Sequence, residues 1–501
     1  MVVSKRSVLV LAGVLLTRVA LAQQPPAPQS APQPAGPAPQ PAGPPATSAA
    51  PQQLKAMSNL ASQITPGQGL TSEDAARRAV SSSYDIRAGR DDVAASEAAV
   101  TSAKVGYIPK LEGVARYTRL SDIGTQTLGS IVAAPSGPAD GPLAPGTQLV
   151  NVPLSFPSLV NSYTFTAQLV IPLSDYFLRV PQSVGAAQNA ESATEHNLKA
   201  TTNNIDTNAR SAYFSWVRAK LQVAVAQAAV ETAQGHIDDV QKAFNVGSAS
   251  KADVLRVQSS LAQAQLNLVR AQNASELTEV QLRTLLHDDG HTALAIGEDV
   301  LADMPVADED LEQLTRRAFE NRPELAVLVD TAEATRGRAK VERAAYFPRV
   351  DLVGNVTYAN PNARFFPQKD QFDGTWDVSA QLSWTPTDIF GTSSAVRETE
   401  ARAAQIESQR LAAADGVRIE VVSAWQAVKE ARQSIETTTS ALGTAEEAYR
   451  VRRALFQNGR ATSLELTDSE LDLTRARLDA INARIDLRVA KATLVRAVGG
   501  K

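Results

Sequence analysis

Four histidines and no cysteine limit the chemistry that this 501-residue sequence can carry. His287 and His291 flank Asp288, Asp289 and Gly290, and their i, i+4 spacing could be drawn as a pair of metal ligands. Gly290 breaks the helix that such spacing needs, and a histidine in a last helical turn answers the helix dipole without any metal. The segment therefore reads as a loop. His196 and His236 fall on long helical stretches, away from any acid set in a catalytic pattern. No G-x-S-x-G, phosphate loop or H-E-x-x-H occurs. Without cysteine there is no thiol catalysis, thiolate metal site or disulfide. The sequence reads as that of a non-enzyme and implies no cofactor.

Charge and composition exclude a second class. A formal net charge of -4 leaves no basic field to hold nucleic acid, because the 49 lysines and arginines are interspersed with 53 acids. At the start of the chain, Lys5 and Arg6 precede an apolar run from Val8 to Leu16, and Ala20-Leu21-Ala22 fits a cleavage site before Gln23. Residues 1–22 are thus expected to be a signal peptide and the protein to be exported. Residues 23–51 are almost entirely Pro, Ala, Gln, Gly and Ser, a composition too poor in apolar surface to fold. Beyond the signal no apolar run is long enough for a spanning helix, so any membrane insertion must use β-strands.

The elements that position everything else come from a duplication. Arg77-Arg78-Ala79 matches Arg316-Arg317-Ala318, and Tyr107-Ile108-Pro109 matches Tyr346-Phe347-Pro348, both 239 apart (316 − 77). Gln168-Leu169 then matches Gln381-Leu382 at 213 (381 − 168), and Phe244 with Gly247 matches Phe456 with Gly459 at 212 (456 − 244). Residues 52–309 form the first repeat and 310–501 the second. The first carries about 26 extra residues between its strands, in a Gly-, Pro- and Ser-rich stretch from Ser130 to Ser158 that reads as a long loop.

Four segments alternate apolar and polar residues: about 108–120 and 162–173 in the first repeat, 349–359 and 375–385 in the second. Their length suits tilted strands crossing a bilayer with one face on a wet lumen. Tyr117, Tyr163, Tyr358, Trp376 and Trp384 lie toward strand ends, where an aromatic girdle would meet lipid headgroups. The same alternation would serve a soluble sheet with one wet face. The remaining sequence is helical, with hairpins over 183–286 and 392–498. Each returning helix has an apolar seam, Val254, Val257, Leu261, Ala264, Leu268 in one and Leu466, Ser469, Leu473, Ala476, Ala480 in the other.

Four strands cannot close a barrel, and open sheet edges are not tolerated in hydrocarbon. The paired strand entries at Tyr107-Ile108-Pro109 and Tyr346-Phe347-Pro348, the helix start Asn321-Arg322-Pro323-Glu324-Leu325, and the tips Phe244-x-x-Gly247 and Phe456-x-x-Gly459 resemble the TolC-like outer-membrane factors, over about Leu70 to Val498. The resemblance implies a mostly α-helical fold with a small membrane β part: a tandem-repeat protomer of a trimeric β-barrel, continued by a long α-helical barrel across the periplasm. It further implies a homotrimer in outer-membrane lipid, acting as the exit duct of a tripartite efflux or secretion system and docked to a periplasmic adaptor and an inner-membrane pump.

By the same resemblance, gating falls to acids after the tip glycines. The matching positions are Glu465 and Asp468, with Asp253 as first-repeat counterpart (465 − 253 = 212). Three copies of such an acid about one axis would attract cations and raise each other's pKa. The family usually has aspartate where Glu465 stands, and acids in a first helical turn also favour the dipole unaided. Gly247, Ser248, Ala249, Gly459, Arg460, Ala461 and Thr462 resemble the adaptor-contacting turns. A periplasmic coiled-coil adaptor or scaffold is the alternative; it would share export and long hairpins but not four membrane-length strands. A further departure is Tyr84 where the second repeat has Pro323, which predicts a softer helix break in the first repeat.

Overall fold

The computed structural model describes residues 69–500, apart from 123, 125, 135–141, 143, 157–158, 291–293 and 306–308. The expected signal peptide, the leader and His291 lie outside the described residues.

The first repeat opens with α1 (Ser72–Ser82) and α2 (Tyr84–Val105), followed by β1 (Lys110–Arg119), β2 (Gln126–Ala133), β3 (Val150–Phe156) and β4 (Asn161–Ile171). A single turn, α3 (Asp175–Leu178), leads into α4 (Val180–Asn245), and α5 (Lys251–Leu286) returns. The second repeat follows the same order: α6 (Leu311–Asn321), α7 (Pro323–Arg343), a 3-10 turn (Ala344–Tyr346), β5 (Arg349–Asn360), β6 (Asp373–Ser383), α8 (Asp388–Gln457) and α9 (Ser463–Ala497). At 66 and 70 residues, α4 and α8 extend about 100 Å each.

The expected softness at Tyr84 is not observed. Ser83 has φ -60, ψ 131, and Arg322 has φ -70, ψ 113, so one extended residue separates two helices in both repeats. In place of proline's fixed geometry, the Ser83 hydroxyl accepts hydrogen bonds from the Asp85 and Ile86 amides. Each returning helix ends against this break. Ser82 Oγ donates to the Leu286 carbonyl at 3.1 Å, and the His287 ring meets Tyr84 edge-on at 4.4 Å. At the corresponding place in the second repeat, Ala497 and Val498 pack with Leu314, Ala318 and Leu325. Beside them the buried Arg322 pairs with Glu420, which Arg496 also contacts.

The main core forms around the middle of α4. Tyr213, Trp216, Val217 and Leu221 of α4 pack against Ala75 and Ala79 of α1, Leu282 of α5, and Ile481 and Ile485 of α9. Leu70 joins this core through a parallel bridge to Ile296. The two segments come so close that a Cβ on Gly69 would lie 2.4 Å from the Ala295 oxygen.

The sheet has the order β1-β4-β5-β6, every neighbour antiparallel. The extra stretch of the first repeat is more than a loop. Its ends form β2 and β3, an antiparallel ribbon with an irregularity between Thr127 and Ser130. The β-branched residues Ile131, Val132, Val150 and Val152 sit in those strands; the Gly and Pro content hid them, because most of it falls between the strands.

Candidate functional site

The sheet comes first, since it decides where the molecule resides. In β4 every second residue from Tyr163 to Leu169 is exposed, and these are Tyr163, Phe165, Ala167 and Leu169. Leu111 of β1 is 75% exposed, and Trp376 and Leu382 of β6 are 72% and 67% exposed. The opposite face carries a polar ladder: Gln168 Nε2 donates to Asn355 Oδ1 at 3.0 Å, and Asn355 Nδ2 to Asp377 Oδ2 at 2.9 Å. Arg364 extends it to Asp377 at 2.8 Å. A soluble sheet buries its apolar face, and this one leaves it bare while its polar groups satisfy one another.

The aromatic residues expected to form a girdle fall at two levels. Tyr117 pairs directly with Tyr163 across the β1–β4 ladder, their rings 5.0 Å apart. Phe372 gathers Tyr163 and Tyr358 at 6.1 and 5.1 Å, and Trp376 is opposite Val356. Trp384 lies past the other end of β6, next to the Ser383–Arg349 pair.

At the far ends of the hairpins the two turns are built alike. Gly247 (φ 81) and Gly459 (φ 69) take the left-handed conformation. The amides of Ser248 and Arg460 then reach back to the Ala243 and Leu455 carbonyls, both at 2.8 Å. Three residues after each glycine a hydroxyl caps the returning helix: Ser250 with Asp253, and Thr462 with Glu465, each a reciprocal capping box. The S-x-x-D and T-x-x-E spacings carry this signature, which a reading of the acids as gate or dipole residues passes over.

These boxes define what the candidate gate acids do within one chain. Glu465 Oε2 accepts from the Thr462 amide at 2.9 Å, and its Oε1 from Arg452 Nη1 at 2.8 Å. Asp253 accepts from the Ser250 amide at 3.0 Å and pairs with Arg256. Hydrogen bonds from the Ser250 side chain and amide, then Arg256, hold the Asp253 carboxyl below its usual range. The Thr462 amide, then Arg452, does the same for Glu465. Asp253 and Glu465 are on different hairpins. Asp468 is exposed on α9, on the same face as the exposed Leu464 and Leu471.

His196 and His236 each meet one acid from a distant segment. His196 Nε2 is 3.5 Å from Asp330. His236 is buried, with Nδ1 3.1 Å from Glu470 Oε2 and Nε2 3.4 Å from Ser463 Oγ. Their partners are 134 and 234 residues away in sequence (330 − 196; 470 − 236), so no local spacing announces them. His287 closes α5 in the left-handed conformation.

A bare apolar sheet face carried on long helical hairpins defines a protein inserted in a membrane by β-strands. Among the described residues no helix is long and apolar enough to cross one. The chain belongs to the outer membrane efflux protein family, which matches residues 75–287 and 314–500. It is thus an efflux channel protein of the outer membrane with a periplasmic helical part, and the adaptor alternative is not favoured. Its fold is that of several solved channels. CusC has 18% identity and a TM-score of 0.69, covering 86% of this chain and 92% of that one. The CmeC outer membrane channel of Campylobacter jejuni has 13% identity and a TM-score of 0.68, covering 90% and 88%. The open state of the Neisseria gonorrhoeae MtrE channel has 16% identity and a TM-score of 0.67, covering 86% and 89%.

Proposed function

We propose that three copies of this chain form one passive exit duct, gated at the helical tips and docked there to a periplasmic adaptor and an inner-membrane pump. The observation that carries this reading is the sheet itself. Within the chain β1 and β6 are edge strands, and four strands are too few for a barrel. Hydrocarbon does not tolerate open edges, so β6 of one copy must pair with β1 of the next. Three copies of four strands give a barrel of twelve. The polar ladder Gln168–Asn355–Asp377 then faces the lumen, and Tyr117, Tyr163, Tyr358, Trp376 and Trp384 face lipid.

At the opposite end, Glu465, Asp468 and Asp253 supply the acidic gate, and the turns Gly247-Ser248-Ala249 and Gly459-Arg460-Ala461-Thr462 supply the docking surface. In this reading residues 1–22 are the removed signal, 23–51 a leader, and 52–309 and 310–501 the two repeats. The test is native mass spectrometry with planar-bilayer recording on the detergent-extracted protein. A trimer giving cation-preferring conductance is expected. A monomer recovered from the soluble periplasm, without conductance, overturns the reading.

A further inference from the structure

The returning helix α9 is buried along two stripes. One, Leu466, Ser469, Leu473, Ala480, Ala483, Leu487 and Ala490, is the heptad seam read from the sequence. The second faces the other hairpin and changes character along its length. Far from the tip it is apolar, with Ile481 and Ile485 in the main core beside α4. Toward the tip it becomes polar, through Glu470, Thr467 and Ser463, all buried. The apolar half fixes the hairpins together, because separating it would expose hydrocarbon to water. The polar half can exchange its partners for water more readily than the apolar half, although Phe456 of α8 also packs there against Val240, Val254 and Val257 of the first hairpin.

His236 of α4 is the centre of that polar half. Glu470 Oε2 lies 3.1 Å from Nδ1, Ser463 Oγ 3.4 Å from Nε2, and the Phe456 ring of α8 stands edge-on at 5.5 Å. Glu470 Oε1 is buried without a hydrogen-bond partner among the described residues. The other charges around the joint have their own partners. Asp239 of α4 accepts from Gln457 at 3.2 Å and is 3.8 Å from Arg453 of α8. Tyr449 of α8 is held neutral by burial, and burial, partly offset by the attraction of Glu446, holds Arg477 of α9 below its usual range. From α5 the neighbours at the tip are the apolar Val254 and Val257. Of the described groups around the joint, the imidazole is the one hydrogen-bonded to the Glu470 carboxylate.

We propose that His236, Glu470 and Ser463 form a proton-responsive clasp that holds the tip of the second hairpin against the first. With the imidazole protonated, the buried pair is neutral overall and Nε2–H donates to Ser463. With it neutral, a buried carboxylate keeps one hydrogen bond and no countercharge, which favours parting the helices and admitting water. Rising pH loosens the tips and falling pH closes them, down to the range where carboxyls protonate. The inference rests on the reading of the tips as the gated end.

The absence of cysteine makes the test direct. Ser248→Cys and Arg460→Cys put spin labels on the exposed tips of the two hairpins in the full-length protein, with labelled chains diluted into unlabelled ones. Distances are read at about pH 6 and about pH 8.5, between the carboxylate and tyrosine ranges. One narrow distance at the lower pH is expected, with a second, longer-distance population appearing at the higher. His236→Gln should abolish the response, and Glu470→Gln should reverse it, because the protonated imidazole then lacks its counterion. If His236→Gln does not assemble, Glu470→Gln decides alone. Distances that ignore pH in the parent, or a response unchanged by Glu470→Gln, overturn the clasp. The label distance reports the clasp whether or not the channel conducts, so its failure is distinguishable from failure of the duct reading.

Discussion

Ser83 and Arg322 stand 239 residues apart (322 − 83) and make the same helix break by different chemistry. Arg322 precedes a proline at the first helical position, whereas Ser83 caps α2 with its own hydroxyl. Replacing Ser83 by Ala removes that acceptor and should cost about 1 kcal/mol. Hydrogen exchange at the Asp85 and Ile86 amides is the measurement. Faster exchange in S83A, restored in S83D, is expected.

The reciprocal boxes at the tips give a pH dependence whose sign is fixed. Asp253 and Glu465 have depressed pKa values, so their contribution is present above the values they have when unfolded, about 4, and is lost as pH falls through the folded values. Amides in the first turns of α5 and α9 should stay protected from neutral pH down to about pH 4 and lose protection below it. In D253N and E465Q the protection should be weaker throughout and lack this acid step. Exchange read by mass spectrometry checks both.

The two faces of β6 should respond oppositely to one substitution. Val378→Lys puts a cation on the bare apolar face and should cost about 2–4 kcal/mol if the site is near the midplane, abolishing the heat-modifiable trimer. Ser379→Lys, on the other face of the same strand, should assemble normally and lower cation conductance. Gel mobility before and after boiling reads the first, and bilayer recording the second.

Gly459 needs its positive φ, yet the space around it is open. Gly459→Asn, which tolerates the left-handed region, should keep export. Gly459→Glu should lose export without loss of trimer, because the added charge obstructs the docking turn. Export by the cognate pump, measured beside trimer yield, separates docking from folding; unchanged export in G459E would remove the turn from the docking surface.

The sequence alone determined the repeated order of the long helices, the approximate places of the four strands of the main sheet and the seam of each returning helix, but not β2 and β3. These are local signals: a period of 2 or 3.6 is written in consecutive residues, and a duplication repeats it at a fixed offset. The tips were legible for the same reason, since Phe244-x-x-Gly247 and Phe456-x-x-Gly459 each lie within one turn.

What the local pattern could not decide was which apolar faces stay bare and which distant side chains meet. Leu111, Trp376 and Leu382 alternate as residues of a soluble sheet would, and only the fold shows that no described element covers their face. The second buried stripe of α9 was hidden because its tip half is polar, and a polar residue is read as exposed until a partner is found for it. Glu470 finds His236 from 234 residues away. That meeting depends on the relative rotation of two hairpins, which is set by the packing of Ile481 and Ile485 on α4 and by no spacing within either helix.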